Sequence, residues 1–130
     1  MNVVDLIKSI PDVIVGSGAS DKEIDKAEKA LELNFADDYK EYLHSFGAVM
    51  FDGHELSGIS KAKQSNVVEL TSSEKSYNAD IPDDMYVIEN LDIDGIVIWQ
   101  DTKGTIYEMQ NGKYKKINKS LADYIKEVIS

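Results

Sequence analysis

The chain has 130 residues, no cysteine and a formal net charge of −10, from 24 acidic and 14 basic residues. This length corresponds to one domain, residues 1–130, and the lack of cysteine excludes disulfides and thiolate chemistry. All basic residues are lysines, whereas arginine is the usual side chain for bidentate contacts to phosphate and guanine. The composition therefore argues against direct binding to nucleic acid or an anionic membrane, and it favours a basic protein partner.

The N-terminal segment has the spacing of an amphipathic helix. Apolar residues recur at helical intervals from Val3 to Ile10, and Pro11 ends the pattern because it disfavours helical backbone at residue 10. The segment carries Asp5 and lacks a basic leader, so we do not interpret it as a signal peptide. No stretch approaches the ~20 apolar residues of a membrane-spanning helix. We therefore expect a cytoplasmic protein.

Two further helices are predicted before residue 50. Ser20 and Glu23 have the spacing of a capping box, which predicts a helix over residues 21–31. A third helix begins near Asp37, where two adjacent carboxylates favour the helix dipole, and Gly47 is its expected left-handed cap. The short apolar run 13–15 before the first of these helices is interpreted as a connector or an edge segment.

The C-terminal half predicts a β-meander. Asp52-Gly53 is a strong turn signal between two short apolar runs, 49–51 and 56–59. Residues 65–77 suit either a strand or a helix capped by Ser65, and we favour the helix. Four β-rich segments then follow, separated by Gly-containing turns: 85–91, 96–100, 105–109 and 113–117. With a last helix from Ser120, the expected fold is α+β, an antiparallel β-meander flanked by N-terminal helices and a C-terminal helix.

The sequence offers no convincing catalytic or metal site. His44 and His54 are the only imidazoles; the first is expected on the surface of the third helix and the second over the Asp52-Gly53 turn. The segment Asp92–Gly95 faintly resembles the start of a calcium loop but lacks the other required oxygen ligands. We therefore predict no catalytic residue, no metal and no cofactor.

Charge is distributed unevenly along the chain. Residues 77–101 contain no Lys, Arg or His but many carboxylates, and the tail from Lys103 onward is rich in lysine. One interpretation is a set of solvated loops, with any tyrosines there half-buried and structural. The other is an acidic docking face with tyrosine anchors. On that second interpretation the partner-binding residues are Tyr77, Asp80, Asp83, Asp84, Tyr86, Asp92 and Asp94. Trp99 is expected in the core, with ligand stacking as the alternative.

Several short segments together resemble a known superfamily. In chain order they are Gly18–Ser20 with Glu23-Ile24, Leu31–Leu33, Asp37–Lys40, Val87–Glu89, Asp101-Thr102, Gly104–Tyr107 and Ser120-Leu121. Their order and spacing over nearly the whole chain resemble the SUKH superfamily, which includes the yeast cell-wall regulator family and many bacterial immunity proteins. Ala36 departs from the pattern, because these proteins usually have proline there, but alanine is also compatible with the start of a helix.

The resemblance implies a non-enzymatic cytoplasmic binding protein with no catalytic residues. The leading hypothesis is an immunity protein that neutralises a cognate toxin, a basic nuclease domain, by occluding its active site. The alternative is a regulatory adaptor of the cell-wall regulator type with an endogenous partner. A third hypothesis, a metal-dependent hydrolase built around Asp92 and Asp94, ranks last. The sequence leaves open whether the protein is a monomer or a weak dimer.

Overall fold

Three helices form the N-terminal part of the protein, whose computed structural model describes residues 2–130. They are α1 (Val3–Lys8), α2 (Asp21–Leu31) and α3 (Asp37–Phe46). The predicted capping box is present at α2, where the Glu23 amide donates to Ser20 Oγ over 3.1 Å and the Ser20 amide donates to Glu23 Oε1 over 3.0 Å. Gly47, after α3, has φ 70° and ψ −55°. Its φ is positive as predicted, but its ψ lies outside the left-handed helical region.

A small antiparallel sheet follows, in the order β1 (Ile14–Val15), β2 (Val49–Phe51) and β3 (His54–Leu56). Asp52 and Gly53 both have positive φ, 44° and 79°, as a two-residue type I′ hairpin requires. The strand predicted over 56–59 instead ends at Leu56. The reason is tertiary, because the Ser57 amide donates to the Ile88 carbonyl over 2.7 Å and so joins this strand to the next sheet.

The ambiguous segment is helical, as predicted. A 3₁₀ turn (Lys63–Ser65) leads into α4 (Val67–Tyr77). The cap is Asn66 and not Ser65, because Asn66 Oδ1 accepts from the amides of Val68 and Glu69. The Ser65 hydroxyl instead donates to Ser60 Oγ over 2.9 Å.

The larger sheet is the predicted antiparallel meander, in the order β4 (Tyr86–Asn90), β5 (Val97–Gln100), β6 (Ile106–Gln110) and β7 (Lys113–Asn118). Helix α5 (Leu121–Ile129) closes the chain, with Ser120 Oγ accepting from the Asp123 amide. Across residues 2–130 the fold is α+β, with five α-helices and two antiparallel sheets.

The two faces of the larger sheet pack into different parts of the core. On one face, residues such as Tyr86, Ile98 and Ile106 pack with the N-terminal helices and α5. On the other face, Val87, Val97, Trp99 and Met109 pack beneath Ile81 and Met85, which belong to the segment between α4 and β4. Trp99 is fully buried, so it is a core residue, as expected.

Candidate functional site: the acidic loops around strand β4

Six of the seven predicted partner-binding residues have exposed side chains. Tyr77 is the last residue of α4 and is 84% exposed. The five aspartates are also exposed and lie in the two loops that flank β4. Asp80, Asp83 and Asp84 precede the strand, and Asp92 and Asp94 follow it.

Tyr86 is a correction to the predicted set. Its side chain is 0% exposed, and its ring packs 4.8 Å from that of Phe35. Its hydroxyl accepts from the Ala36 amide over 2.9 Å and donates to Gln100 Oε1 over 2.7 Å. Burial raises its pKa well above the usual value for tyrosine. Tyr86 is therefore a structural residue of the core and offers no surface to a partner.

The aspartates form two groups and not one continuous face. Asp83 and Asp84 lie before β4, and Asp92 and Asp94 lie after it, so a five-residue strand of roughly 16 Å separates them. Asp83 and Asp84, which we call the strand-start pair, have a lysine beside them. Lys75 Nζ donates to the Asp83 carbonyl over 3.0 Å, and its pKa is lowered by burial while both carboxylates oppose that shift. The strand-start pair is therefore partly neutralised.

The loop after β4 presents an apolar side chain that the sequence analysis missed. Ile93 lies between Asp92 and Asp94 and is 61% exposed. The hydrogen bonds that hold this loop include one from the Asp92 amide to Asn90 Oδ1 (2.9 Å), one from Gln110 Nε2 to the Asp94 carbonyl (3.1 Å) and a backbone bond from the Ile96 amide to the Ile93 carbonyl (3.0 Å). The sequence did contain a signal for this exposure, because Ile93 stands between two aspartates in a turn, where side chains usually face solvent.

Tyr77 lies at the same end of the larger sheet as Ile93. Asn78, the residue after Tyr77, has its Nδ2 4.0 Å from where a Cβ on Gly112 would lie, in the turn between β6 and β7. That turn follows Gln110, which binds the β4–β5 loop. We call Tyr77, Asp92, Ile93 and Asp94 the loop-end surface: two exposed anchors accompanied by two carboxylates.

Two other carboxylates of the acidic segment, residues 77–101, are buried. Glu89 is 2% exposed; its carboxylate contacts His54 Nδ1 at 3.1 and 3.2 Å and accepts a short hydrogen bond from the Tyr124 hydroxyl. Asp101 is buried in its own turn, where it accepts from two backbone amides and from the Tyr107 hydroxyl. These two residues support the fold and add nothing to an exposed acidic face.

Both histidines have structural partners. His54 stacks on Phe51 with ring centroids 5.5 Å apart and contacts Glu89. His44 contacts the Ala19 carbonyl through Nδ1 at 3.1 Å and the Asp21 carboxylate through Nε2 at 2.9 Å. His44 therefore links α3 to the start of α2. Neither contact pairs an imidazole with a Ser or Thr hydroxyl, the arrangement that nucleophilic catalysis uses.

Among residues 2–130, no group of three or more His, Asp or Glu side chains is placed to hold a metal ion. None of the helices in those same residues has the length and apolar content that crossing a bilayer demands.

Comparison with known proteins identifies the family. A family model described as SUKH_5, SMI1-KNR4 cell-wall, matches residues 2–130. No curated protein matches the chain at the significance required. The family match fits a protein that acts by binding another protein, and at the level of the superfamily it fits an immunity role. The chain belongs to the SMI1-KNR4 family of the SUKH superfamily.

Proposed function

We propose that this protein is a cytoplasmic immunity protein that binds a cognate polymorphic toxin, a basic nuclease domain, and blocks its active site without catalysing a reaction. The observation that carries the proposal is the loop-end surface, where Tyr77 and Ile93 are exposed at the same end of the larger sheet and Asp92 and Asp94 flank Ile93. Membership of the SUKH superfamily supports the immunity role at a general level.

The chemistry of this surface suits a basic partner. Large exposed apolar and aromatic side chains are the usual anchors of an interface, because they bury much area on binding. Carboxylates around such anchors attract a positively charged partner and raise its association rate. A nuclease holds phosphates and therefore has a positive cleft, so an acidic protein that enters this cleft excludes the nucleic acid.

The remaining aspartates have a supporting role in the proposal. Asp80 and the strand-start pair lie outside the loop-end surface, and Lys75 offsets part of the charge of that pair. They add to the long-range field of a chain with net charge −10, which guides the encounter. We therefore assign close contact to the loop-end surface and electrostatic guidance to Asp80, Asp83 and Asp84.

The test is binding to the toxin domain encoded beside this protein, measured by surface plasmon resonance at several salt concentrations. Reversing four charges (Asp83→Lys, Asp84→Lys, Asp92→Lys and Asp94→Lys) is expected to slow association at least tenfold at low salt and to weaken its salt dependence. A matched control reverses four exposed acids elsewhere, Asp12→Lys, Asp25→Lys, Glu41→Lys and Glu69→Lys. If both quadruple variants behave alike, the acidic loops have no special role.

The anchors call for a different measurement, the dissociation rate. Tyr77→Ala and Ile93→Ala are each expected to speed dissociation about tenfold, as truncation of a central interface residue does. Tyr114, which is also exposed, provides the control variant Tyr114→Ala. Unchanged dissociation rates for both anchor variants would remove the loop-end surface from the interface.

A second function is favoured by the description of the matched family, which refers to the cell wall. In that case the protein is a regulatory adaptor with an endogenous partner. Affinity purification of the protein from cells that lack the neighbouring toxin gene separates the two functions. Recovery of one stoichiometric host protein supports the adaptor, and recovery of a partner only when the neighbouring gene is present supports the immunity protein.

A further inference from the structure

A groove lies between the larger sheet and α5, on the face opposite Trp99. Its volume is about 370 Å³. Four apolar side chains line it: Leu91, Ile98, Ile117 and Val128. Such walls suit the aliphatic part of a side chain that enters from outside.

Two carboxylates are among the polar residues that line the groove. Glu108 lies on β6, and Glu127 lies on α5 together with Tyr124, which also lines the groove. Glu89 is buried, and its carboxylate accepts a hydrogen bond from the Tyr124 hydroxyl. Burial raises the pKa of Tyr124, and the carboxylates of Glu89, Glu108 and Glu127 raise it further. Two of these carboxylates, Glu108 and Glu127, line the groove itself.

One lysine lines the groove and brings positive charge to it. Lys115 pairs with Glu108 at 3.4 Å, but its side chain is 72% exposed, so this pair contributes little stability. His54 also lines the groove, with its Nδ1 held by Glu89. Glu108 and Glu127 line the groove beside one lysine, so the groove favours a cationic occupant.

Asn118 adds an acceptor to this arrangement. Its Nδ2 donates to Glu127 Oε2 over 2.7 Å, which fixes the orientation of the amide. Its Oδ1 is buried and, among residues 2–130, has no hydrogen-bond donor. A buried acceptor without a donor costs free energy, and an incoming N–H group removes that cost.

We propose that this groove receives an arginine side chain from a protein partner. The apolar walls take the aliphatic stem, and the guanidinium donates to Glu108, Glu127 and Asn118 Oδ1. Arginine suits this set of acceptors because its planar group carries five donors and stays charged. Leu91 lines the groove and directly precedes Asp92, so the groove adjoins the loop-end surface. The inference rests on the proposed function for the identity of the partner.

The direct test uses butylguanidinium, which has the stem and head group of arginine, in an NMR titration of the ¹⁵N-labelled protein. Saturable shifts are expected at amides around the groove, from Leu91, Glu108, Asn118 and Val128. Butylurea, a neutral compound of nearly the same shape, is expected to give no saturation. Equal responses to both compounds, or shifts centred elsewhere, would overturn the inference.

Variants link the response to the groove. The double variant Glu108→Gln and Glu127→Gln is expected to weaken butylguanidinium binding at least fivefold, and Val128→Phe is expected to abolish it by filling the space. The matched control, Asp25→Asn with Glu41→Gln, removes two exposed carboxylates from α2 and α3 and should leave binding unchanged. Equal effects of the two double variants would mean general charge attraction and would contradict the groove site.

The same variants separate this inference from the proposed function. If the toxin binds the wild type and the groove variants with equal affinity, the groove inference is wrong and the immunity function stands. If butylguanidinium binds the groove but the toxin domain does not bind the protein, the immunity function fails and the arginine site stands.

Discussion

The side chain of Asp38, in the first turn of α3, accepts a hydrogen bond from the backbone amide of Leu121, the first residue of α5. This bond joins Oδ2 to the amide nitrogen over 2.9 Å, and Oδ1 accepts from Gln100 Nε2 over 3.0 Å. Gln100 in turn accepts from the Tyr86 hydroxyl, which accepts from the Ala36 amide. One carboxylate therefore ties the starts of α3 and α5 to the end of β5, through a network whose members are mostly buried.

The Asp38 network predicts a large loss of stability when its carboxylate is removed. Asp38→Ala deletes two charge-assisted hydrogen bonds and leaves the Leu121 amide without this acceptor, so we expect the free energy of unfolding to fall by about 2–3 kcal/mol. Urea denaturation followed by Trp99 fluorescence measures it. Asp37→Ala is the control, since Asp37 is exposed and its interaction with the helix dipole is worth about 0.5 kcal/mol. Similar losses for both variants would contradict the role of the network.

Local chemistry explains why most elements were predictable from the sequence. The capping box at Ser20, the Asp52-Gly53 hairpin and the Ser120 cap act over two or three residues, and all three form as predicted. The end of β3 and the partners of Asp38 were not predictable, because they depend on contacts with residues at least 30 positions away.

The candidate site was predictable only in part, for the same reason. Exposure of the loop aspartates follows from their position in turns, and Tyr77 ends a helix. Tyr86 is the first residue of β4, and successive side chains of a strand point to opposite faces of the sheet. Only the assembled fold shows that the face with Tyr86 is buried in the core. The separation of the two aspartate pairs likewise depends on the length of β4, because residues close in sequence lie at opposite ends of an extended strand.

The buried tyrosines predict a loss of stability at alkaline pH. Burial raises the pKa of Tyr39, Tyr42, Tyr86 and Tyr124 in the folded protein, whereas unfolded tyrosines titrate near pH 10. Their contribution to stability is therefore complete below pH 10. It is lost as pH rises above 10, because only the unfolded state then releases these protons. Each tyrosine accounts for about 1.4 kcal/mol between pH 9 and pH 11.

Tyr124→Phe isolates one of these tyrosines. We expect the free energy of unfolding of the wild type to fall by about 1.4 kcal/mol more than that of the variant between pH 9 and pH 11. Urea denaturation at fixed ionic strength measures both slopes. Tyr77→Phe is the control, because it removes a hydroxyl from an exposed side chain. Parallel curves for wild type and Tyr124→Phe would show that Tyr124 does not resist titration in the folded state.

Substitution of Gly58 is also expected to lower stability, because the backbone at Gly47 passes very close to it. A Cβ at this position would lie 1.7 Å from the carbonyl oxygen of Gly47, and the Gly58 amide and carbonyl both bond to the segment that begins α4. We expect Gly58→Ala to lower the free energy of unfolding by about 3 kcal/mol or more, since rigid backbone must move. At Gly53 a Cβ would meet nothing within 4 Å, so Gly53→Ala costs only the backbone strain of positive φ, about 1 kcal/mol. Thermal melts of the two variants compare these costs directly, and equal melting temperatures would contradict the steric argument.

The acidic residues lie in two separate loops, so we expect two double charge reversals with the same change in net charge to have unequal effects on the association rate. Asp92→Lys with Asp94→Lys removes the carboxylates around the exposed Ile93, so association with the toxin domain should slow about tenfold at low salt. Asp83→Lys with Asp84→Lys should slow it by about threefold or less, because Lys75 already offsets that pair and β4 separates it from Asp92, Ile93 and Asp94. Stopped-flow association rates at several salt concentrations measure both variants, with circular dichroism as the check on folding. If reversing the strand-start pair slowed association more than reversing Asp92 and Asp94, the interface would lie at the opposite end of β4.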